Sequence, residues 1–111
     1  MSLHHLAVTS HVPAEAARFY DAVLLGYTRA AGEAEPRVWH GPSPEILLYG
    51  FEGPDRSFHT YGRPGWHHSA FRTAGRHRVE AVHEAVCSGG WTVLHRPVPI
   101  PSTPRATTLC S

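Results

Sequence analysis

The sequence carries the phrase HHLAV at residues 4–8 and a related phrase, HHSAF, at residues 67–71. Each phrase is followed by apolar residues at helical spacing, and both of these stretches close in glycine, at Gly26 and at Gly89-Gly90. Internal self-similarity of this kind sets the architecture of a chain. The repeat has the size of a β-α-β unit rather than of a solenoid repeat. We therefore predict two copies of one such unit.

The first copy is predicted to have the order β-α-β-β-β. Residues 3–9 alternate as a strand does, so His5 and Ala7 share one face while Leu6 and Val8 share the other. The apolar face should lie toward the helices, which places His5 on the opposite side. The predicted helix covers residues 14–25, after Pro13 in its first turn. The predicted later strands are 27–31, 37–40 and 46–51.

The second copy is predicted to be incomplete. A polar linker over residues 53–65 leads to a strand over 66–72, in which His68 and Arg72 match the face of His5. A helix over 76–88, with Val79, Val82, His83 and Val86 facing inward, and a strand from 91 to 95 follow. The next residues include prolines at 97, 99, 101 and 104, which cannot donate to a sheet ladder. Codon degeneracy also permits a shifted reading frame in this tail, which the nucleotide sequence would test.

Length and charge indicate one compact domain with no nucleic-acid partner. The 111 residues fit a single domain, with module one at 3–52, the linker at 53–65 and module two at 66–111. Ten arginines against nine acidic residues leave no basic stripe. Neither a membrane-spanning run nor a signal peptide is apparent, so the predicted compartment is the cytoplasm. Cys87 lies on the apolar side of the second predicted helix and is expected to be a free cysteine that behaves as a small buried hydrophobe, rather than part of a disulfide framework.

These features together identify a family resemblance over residues 3–95. The phrases LHHLAV at 3–8, ARFYDAVLLGY at 17–27 and PGWHHSAFR at 64–72 resemble the vicinal oxygen chelate (VOC) superfamily. That superfamily includes glyoxalase I, extradiol dioxygenases, fosfomycin-resistance enzymes and bleomycin-binding proteins. The resemblance implies an α+β protein with paired β-α-β-β-β modules, the glyoxalase/bleomycin resistance/dioxygenase fold, here with the second module apparently truncated.

The resemblance also implies a metal site. By position, His5 and His68 match the two histidine ligands of the family, and neutral imidazole suits Zn, Ni, Mn and Fe. The family's glutamate ligand in the first unit falls at Leu47, and Glu45, two residues earlier, would replace it only if the strand register slipped. The glutamate-bearing last strand of metal-binding members has no match. Two histidines make an incomplete site, because catalytic zinc normally has three protein ligands.

Three functions remain open at this level. The first is a metal-dependent lyase or dioxygenase that acts on a small oxygen-rich molecule. The second is a metal-free, bleomycin-resistance type of binding protein, in which Trp39, Tyr49, Trp66 and Arg72 line a cleft, although aromatic residues also fill cores. The third is an inactive remnant. An unpaired sheet edge left by the missing strands predicts a homodimer.

Overall fold

The computed structural model describes residues 1–32, 34–41, 43–53 and 64–98, and it is an α+β structure with four strands and two helices. The predicted order of the first half, β-α-β-β-β, is confirmed. The elements are β1 His5–Ser10, α1 Pro13–Val23, β2 Thr28–Arg29, β3 Arg37–His40, β4 Glu45–Gly50 and α2 Gly75–Ser88.

The four strands form one mixed sheet in the order β1-β4-β3-β2. Strands β2, β3 and β4 are antiparallel neighbours, as expected for strands joined by short connections. Strand β1 pairs in parallel with β4 through a continuous register that runs from His5 opposite Glu45 to Ser10 opposite Gly50. The first and last strands of the unit are therefore neighbours, and α1 lies on the connection between β1 and β2.

The core lies between α1 and one face of the sheet. Ala17 near the middle of α1 and Leu24 just after its end are 3% and 8% exposed, and they pack with Trp39, Ile46 and Leu48. Leu6 and Val8 of β1 pack against this cluster from the edge of the sheet. Burial of these side chains follows the strand alternation that the sequence predicts.

Helix α1 ends two residues earlier than predicted. It begins at Pro13, which suits a first turn because its missing N–H has no helical partner, and it ends at Val23 rather than at residue 25. The N–H of Leu24 donates to the carbonyl of Tyr20 at 3.0 Å, and the chain then reverses at Gly26, which has φ +86°. A residue with a Cβ is disfavoured at that φ, so glycine suits this reversal.

The second half contributes a helix and an aromatic contact, but no strand, to the described residues. The ring of Trp91 meets Phe19 of α1 edge to face at 5.2 Å, and the Arg18 guanidinium lies 4.1 Å above the Trp91 ring. Arg18 also donates to the carbonyl of Gly89 at 3.2 Å. Through these contacts, the residues just after α2 pack against α1.

Several predictions for the second half are wrong. Residues 66–72 and 91–95 contain no strand, and residues 66–72 are exposed throughout. Apolar alternation produces a strand only where a neighbouring strand completes its hydrogen bonds. In the described ranges the sheet contains only β1 to β4, and these two segments show a single bridge residue, His95. Val79 is 41% exposed rather than inward-facing. Val82, His83 and Val86 are half-buried on α2, as predicted.

Cys87 also differs from its prediction. Its sulfur is in a disulfide rather than a free thiol. The only other cysteine of the sequence, Cys110, lies outside the described residues, as do residues 54–63 of the predicted linker and 99–111 of the tail.

Candidate functional site on the open face of the sheet

The sheet face that α1 does not cover is called the open face; on β1 and β4 it is formed by His5, Ala7, Thr9, Leu47 and Tyr49. The three β1 residues are exposed, while the alternate residues Leu6 and Val8 are half-buried. The side of β1 assigned to His5 by alternation is therefore confirmed. The small side chain of Ala7 lies next to it on the same face, opposite Leu47.

Glu45 lies directly beside His5. The two residues are paired across β1 and β4, so their side chains share the open face. The strand register has not slipped, so Leu47 keeps the position of the family's glutamate, and Glu45 lies opposite His5 itself. Two residues further along the strands, Ala7 pairs with Leu47 in the same register.

His40 completes a row of three side chains across the sheet. Trp39 of β3 pairs with Ile46 of β4, so the next residues outward, His40 and Glu45, face each other at the end of this antiparallel pair. Nδ1 of His40 and Oε2 of Glu45 are 2.5 Å apart, and the imidazole N–H donates to the carboxylate. The His5–Glu45–His40 row therefore places one carboxylate between two imidazoles on three adjacent strands.

The electrostatics of the row favour the ionised carboxylate. The hydrogen bond from His40 lowers the pKa of Glu45, against the smaller opposing effect of burial. Charges on His40, His4 and His5 lower it further. The Nδ1 atoms of His4 and His5 are 3.0 Å apart, so one of these rings donates to the other.

His68, the second predicted metal ligand, does not lie on a strand as His5 does. It is exposed, in a segment without helix or strand, and its Nδ1 is 2.7 Å from Nδ1 of His67. Each predicted ligand thus contacts the other histidine of its own doublet. His5 is oriented by a sheet ladder, whereas His68 has no ladder to orient it.

The predicted ligand-binding residues divide between the core and the surface. Trp39 is 2% exposed in the core, so its ring does not line the open face. Tyr49 lies on the open face and is 37% exposed. Trp66 is 62% exposed and donates through Nε1 to Oγ of Ser69 at 2.9 Å, and Arg72 is exposed in the same segment.

The open face carries imidazole and carboxylate groups, on His5 and Glu45. Imidazole and carboxylate are suitable ligands for Zn, Ni, Mn and Fe. In the part of the chain that the structure describes, however, no three His, Cys, Asp or Glu side chains are arranged as they stand to hold one ion. The described residues supply donors of the right chemistry without a formed coordination sphere.

His40 was not among the predicted site residues. The signal was present, because His40 and Glu45 flank the turn-rich segment GPSP at residues 41–44. A hairpin across that segment places its flanking residues opposite each other. The sequence gives no indication that β1 pairs with the other edge of β4. That pairing places His5 beside Glu45.

Comparison with protein-family models, curated proteins and solved structures gives no match for this chain. Neither helix in the described ranges has the length and apolar character needed to cross a bilayer.

Proposed function

We propose that this chain is a glyoxalase/dioxygenase-like protein of the VOC superfamily, derived from a divalent-metal-dependent lyase or dioxygenase that acts on a small oxygen-rich molecule. The observation that carries the proposal is the sheet order β1-β4-β3-β2 with β1 parallel to β4. Among the described residues, α1 packs on one face of this sheet, and His5 lies on the other face. The residue phrases that resemble the superfamily supply the rest of the argument.

On this proposal His5 and His68 are metal ligands, and a bound ion would polarise substrate oxygens as a Lewis acid. The described residues do not form a complete site, so no reaction step is assigned to the ion. The chain itself would bind and orient the substrate. Ala7 leaves space beside His5, and Tyr49 offers an aromatic ring and a hydroxyl group on the same face.

The proposal is tested by the metal content of the purified protein. We expect wild type to carry a divalent transition metal, as measured by mass spectrometry of the elements, and His5→Ala to lose it. His77→Ala is the matched control, because His77 is an exposed histidine on α2. Equal metal content in wild type, His5→Ala and His77→Ala would contradict the assignment of His5.

A second function, metal-free binding of a planar or anionic small molecule, is favoured by one observation. Trp66 and Tyr49 expose 62% and 37% of their surface, and exposed aromatic rings can stack on a ligand. Titration with metal-free bleomycin would quench tryptophan fluorescence in wild type and not in Trp66→Phe. An inactive remnant would show neither a metal content that depends on His5 nor quenching of tryptophan fluorescence by bleomycin.

A further inference from the structure

The His5–Glu45–His40 row continues onto the fourth strand of the sheet. Thr28 of β2 pairs directly with His40 of β3 in the antiparallel register. Thr28 is exposed, whereas the next residue of β2 pairs with Trp39 of the core, so Thr28 lies on the open face. A hydroxyl, an imidazole and a carboxylate therefore follow one another on β2, β3 and β4.

The imidazole of His40 is oriented by Glu45 for use as a base. A carboxylate only accepts hydrogen bonds, so Nδ1 of His40 carries the proton in its 2.5 Å contact with Oε2 of Glu45. The lone pair of the neutral ring is then on Nε2. The His40 side chain is 55% exposed, so a small molecule can reach this nitrogen. Glu45 in turn can stabilise the imidazolium that forms when Nε2 takes up a proton.

Thr28 lies close enough to His40 to supply that proton. Directly opposed residues on neighbouring strands have Cβ atoms about 4.5–5.5 Å apart. Exposed side chains change rotamer within picoseconds to nanoseconds, so Oγ1 of Thr28 can move to within hydrogen-bond distance of the His40 ring. A hydroxyl beside a base that a carboxylate orients is the arrangement that activates a nucleophile.

An apolar strip lies next to the polar row. Val38 and Leu47 pair with each other, and they lie on the open face two residues before His40 and two residues after Glu45. Both are half-buried, so each leaves part of its aliphatic surface accessible. Ala7 extends the strip onto β1. A short aliphatic acyl group would gain from contact with this surface, which indicates an ester of a short carboxylic acid as the substrate class.

We propose that Thr28, His40 and Glu45 form an esterase site for esters of short aliphatic acids, a function beyond the metal site proposed above and independent of its ligands. Nε2 of His40 takes the proton of the Thr28 hydroxyl as Oγ1 bonds to the ester carbonyl carbon. The bond from that carbon to the alcohol oxygen breaks, and the alcohol leaves with the proton from the imidazolium. Water then hydrolyses the acyl-threonine, again with His40 as the base, and the carboxylic acid is released. Thr28 and His40 are the catalytic residues, and Glu45 is a positioning residue.

The test is acylation of Thr28 in the full-length chain by p-nitrophenyl acetate, in a buffer that contains a metal chelator. We expect release of p-nitrophenolate and, after an acid quench, an acetyl group on the peptide that contains Thr28, measured by mass spectrometry. Thr28→Val should lose this acetyl group, and Thr28→Ser should keep it because serine retains the hydroxyl. Thr73→Val, at an exposed threonine outside the sheet, is the matched control and should be acetylated at Thr28 as wild type is.

The roles of His40 and Glu45 are tested by the kinetics of ester hydrolysis. His40→Gln should lower kcat/KM by at least about 100-fold, the lower end of what a general base contributes. Glu45→Gln should lower kcat and leave KM unchanged, because it removes an interaction with the imidazolium and none with the substrate. His77→Gln, at an exposed histidine on α2, controls for ester cleavage by surface imidazoles. Circular dichroism checks that each variant is folded, and Thr28→Ala or His40→Asn replaces one that is not.

Two results would overturn the inference. The first is an acetyl group that is absent from Thr28 after the quench. The second is hydrolysis that is equally fast in wild type, Thr28→Val and His40→Gln, which would indicate ester cleavage by exposed histidines alone. A rise of KM without a fall of kcat in Glu45→Gln would overturn the role of Glu45.

Discussion

Trp39 joins the sheet to helix α1 through both its ring and its indole N–H. Nε1 donates to Oδ1 of Asp21 at 2.9 Å, and the ring lies against Tyr20 with centroids 5.4 Å apart. Oδ2 of the same aspartate accepts from Arg29 of β2 at 2.7 Å. A single carboxylate on α1 therefore binds donors from two strands, so its orientation depends on all three elements.

We predict that Trp39→Phe lowers the free energy of unfolding by about 1–3 kcal/mol. The change removes a hydrogen bond and leaves space in a core in which Trp39 is 2% exposed. Urea denaturation followed by circular dichroism measures the loss. Trp66→Phe is the matched control, because Trp66 is 62% exposed and its change should stay within about 0.5 kcal/mol. Equal losses in the two variants would contradict the placement of Trp39 in the core.

At the scale of elements, the face of α1 that packs on the sheet includes a titratable group, the phenol of Tyr20. Tyr20 packs on the core, and burial raises the pKa of its phenol. The folded state therefore binds the phenolic proton more tightly than the unfolded state, whose pKa is about 10. Stability from this group is fully present below that value and is lost as the pH rises through the raised pKa of the folded state.

We accordingly predict that wild type loses more stability than Tyr20→Phe between about pH 8 and about pH 11. The measurement is the urea midpoint of each protein at both pH values. Burial raises the pKa of Tyr27 as well, so part of the alkaline loss should remain in Tyr20→Phe. Tyr49→Phe, a substitution on the open face, controls for the removal of a phenol. An identical loss in wild type and Tyr20→Phe would show that Tyr20 is not buried.

The element scale also shows why the two halves of the chain differ. In the first half, β1 pairs in parallel with β4. Residues 5–10, whose apolar and polar side chains alternate, therefore form a strand with one more buried face. In the second half, residues 66–72 have a similar pattern, but they form no ladder and remain exposed. In the described part of the second unit, residues 66–98, the helix is the element that forms, because a helix makes its backbone hydrogen bonds within itself.

At the scale of the whole molecule, the sheet has an edge that another chain could cover. In the described ranges β1 pairs with β4 alone, so its other side is an edge of the sheet in this part of the chain, and β1 contains no Asp, Glu, Lys or Arg. The homodimer predicted from the sequence thus has a candidate surface in the first half of the chain. The exposed Thr9 near the end of β1 lies beside that edge.

We predict a solution mass of twice the 12.2 kDa of one chain, measured by light scattering after size exclusion. Thr9→Lys should shift the protein toward the single-chain mass, because a charge beside an edge strand opposes its pairing with another strand. His77→Lys, on the exposed surface of α2, is the control and should leave the mass unchanged. A wild-type protein that has the mass of one chain at all concentrations would contradict the prediction.

The sequence by itself determined the α+β class, the order of the first five elements, and the face of β1 that carries His5. All of these follow from local periodicity and from the turn residues between segments, which act over a few neighbours. Tertiary structure alone decided three further points. It placed Trp39 in the core, brought Glu45 between His5 and His40, and left residues 66–72 without a strand. Each depends on which distant strand supplies the hydrogen bonds and which helix covers the face, and no local pattern specifies that choice.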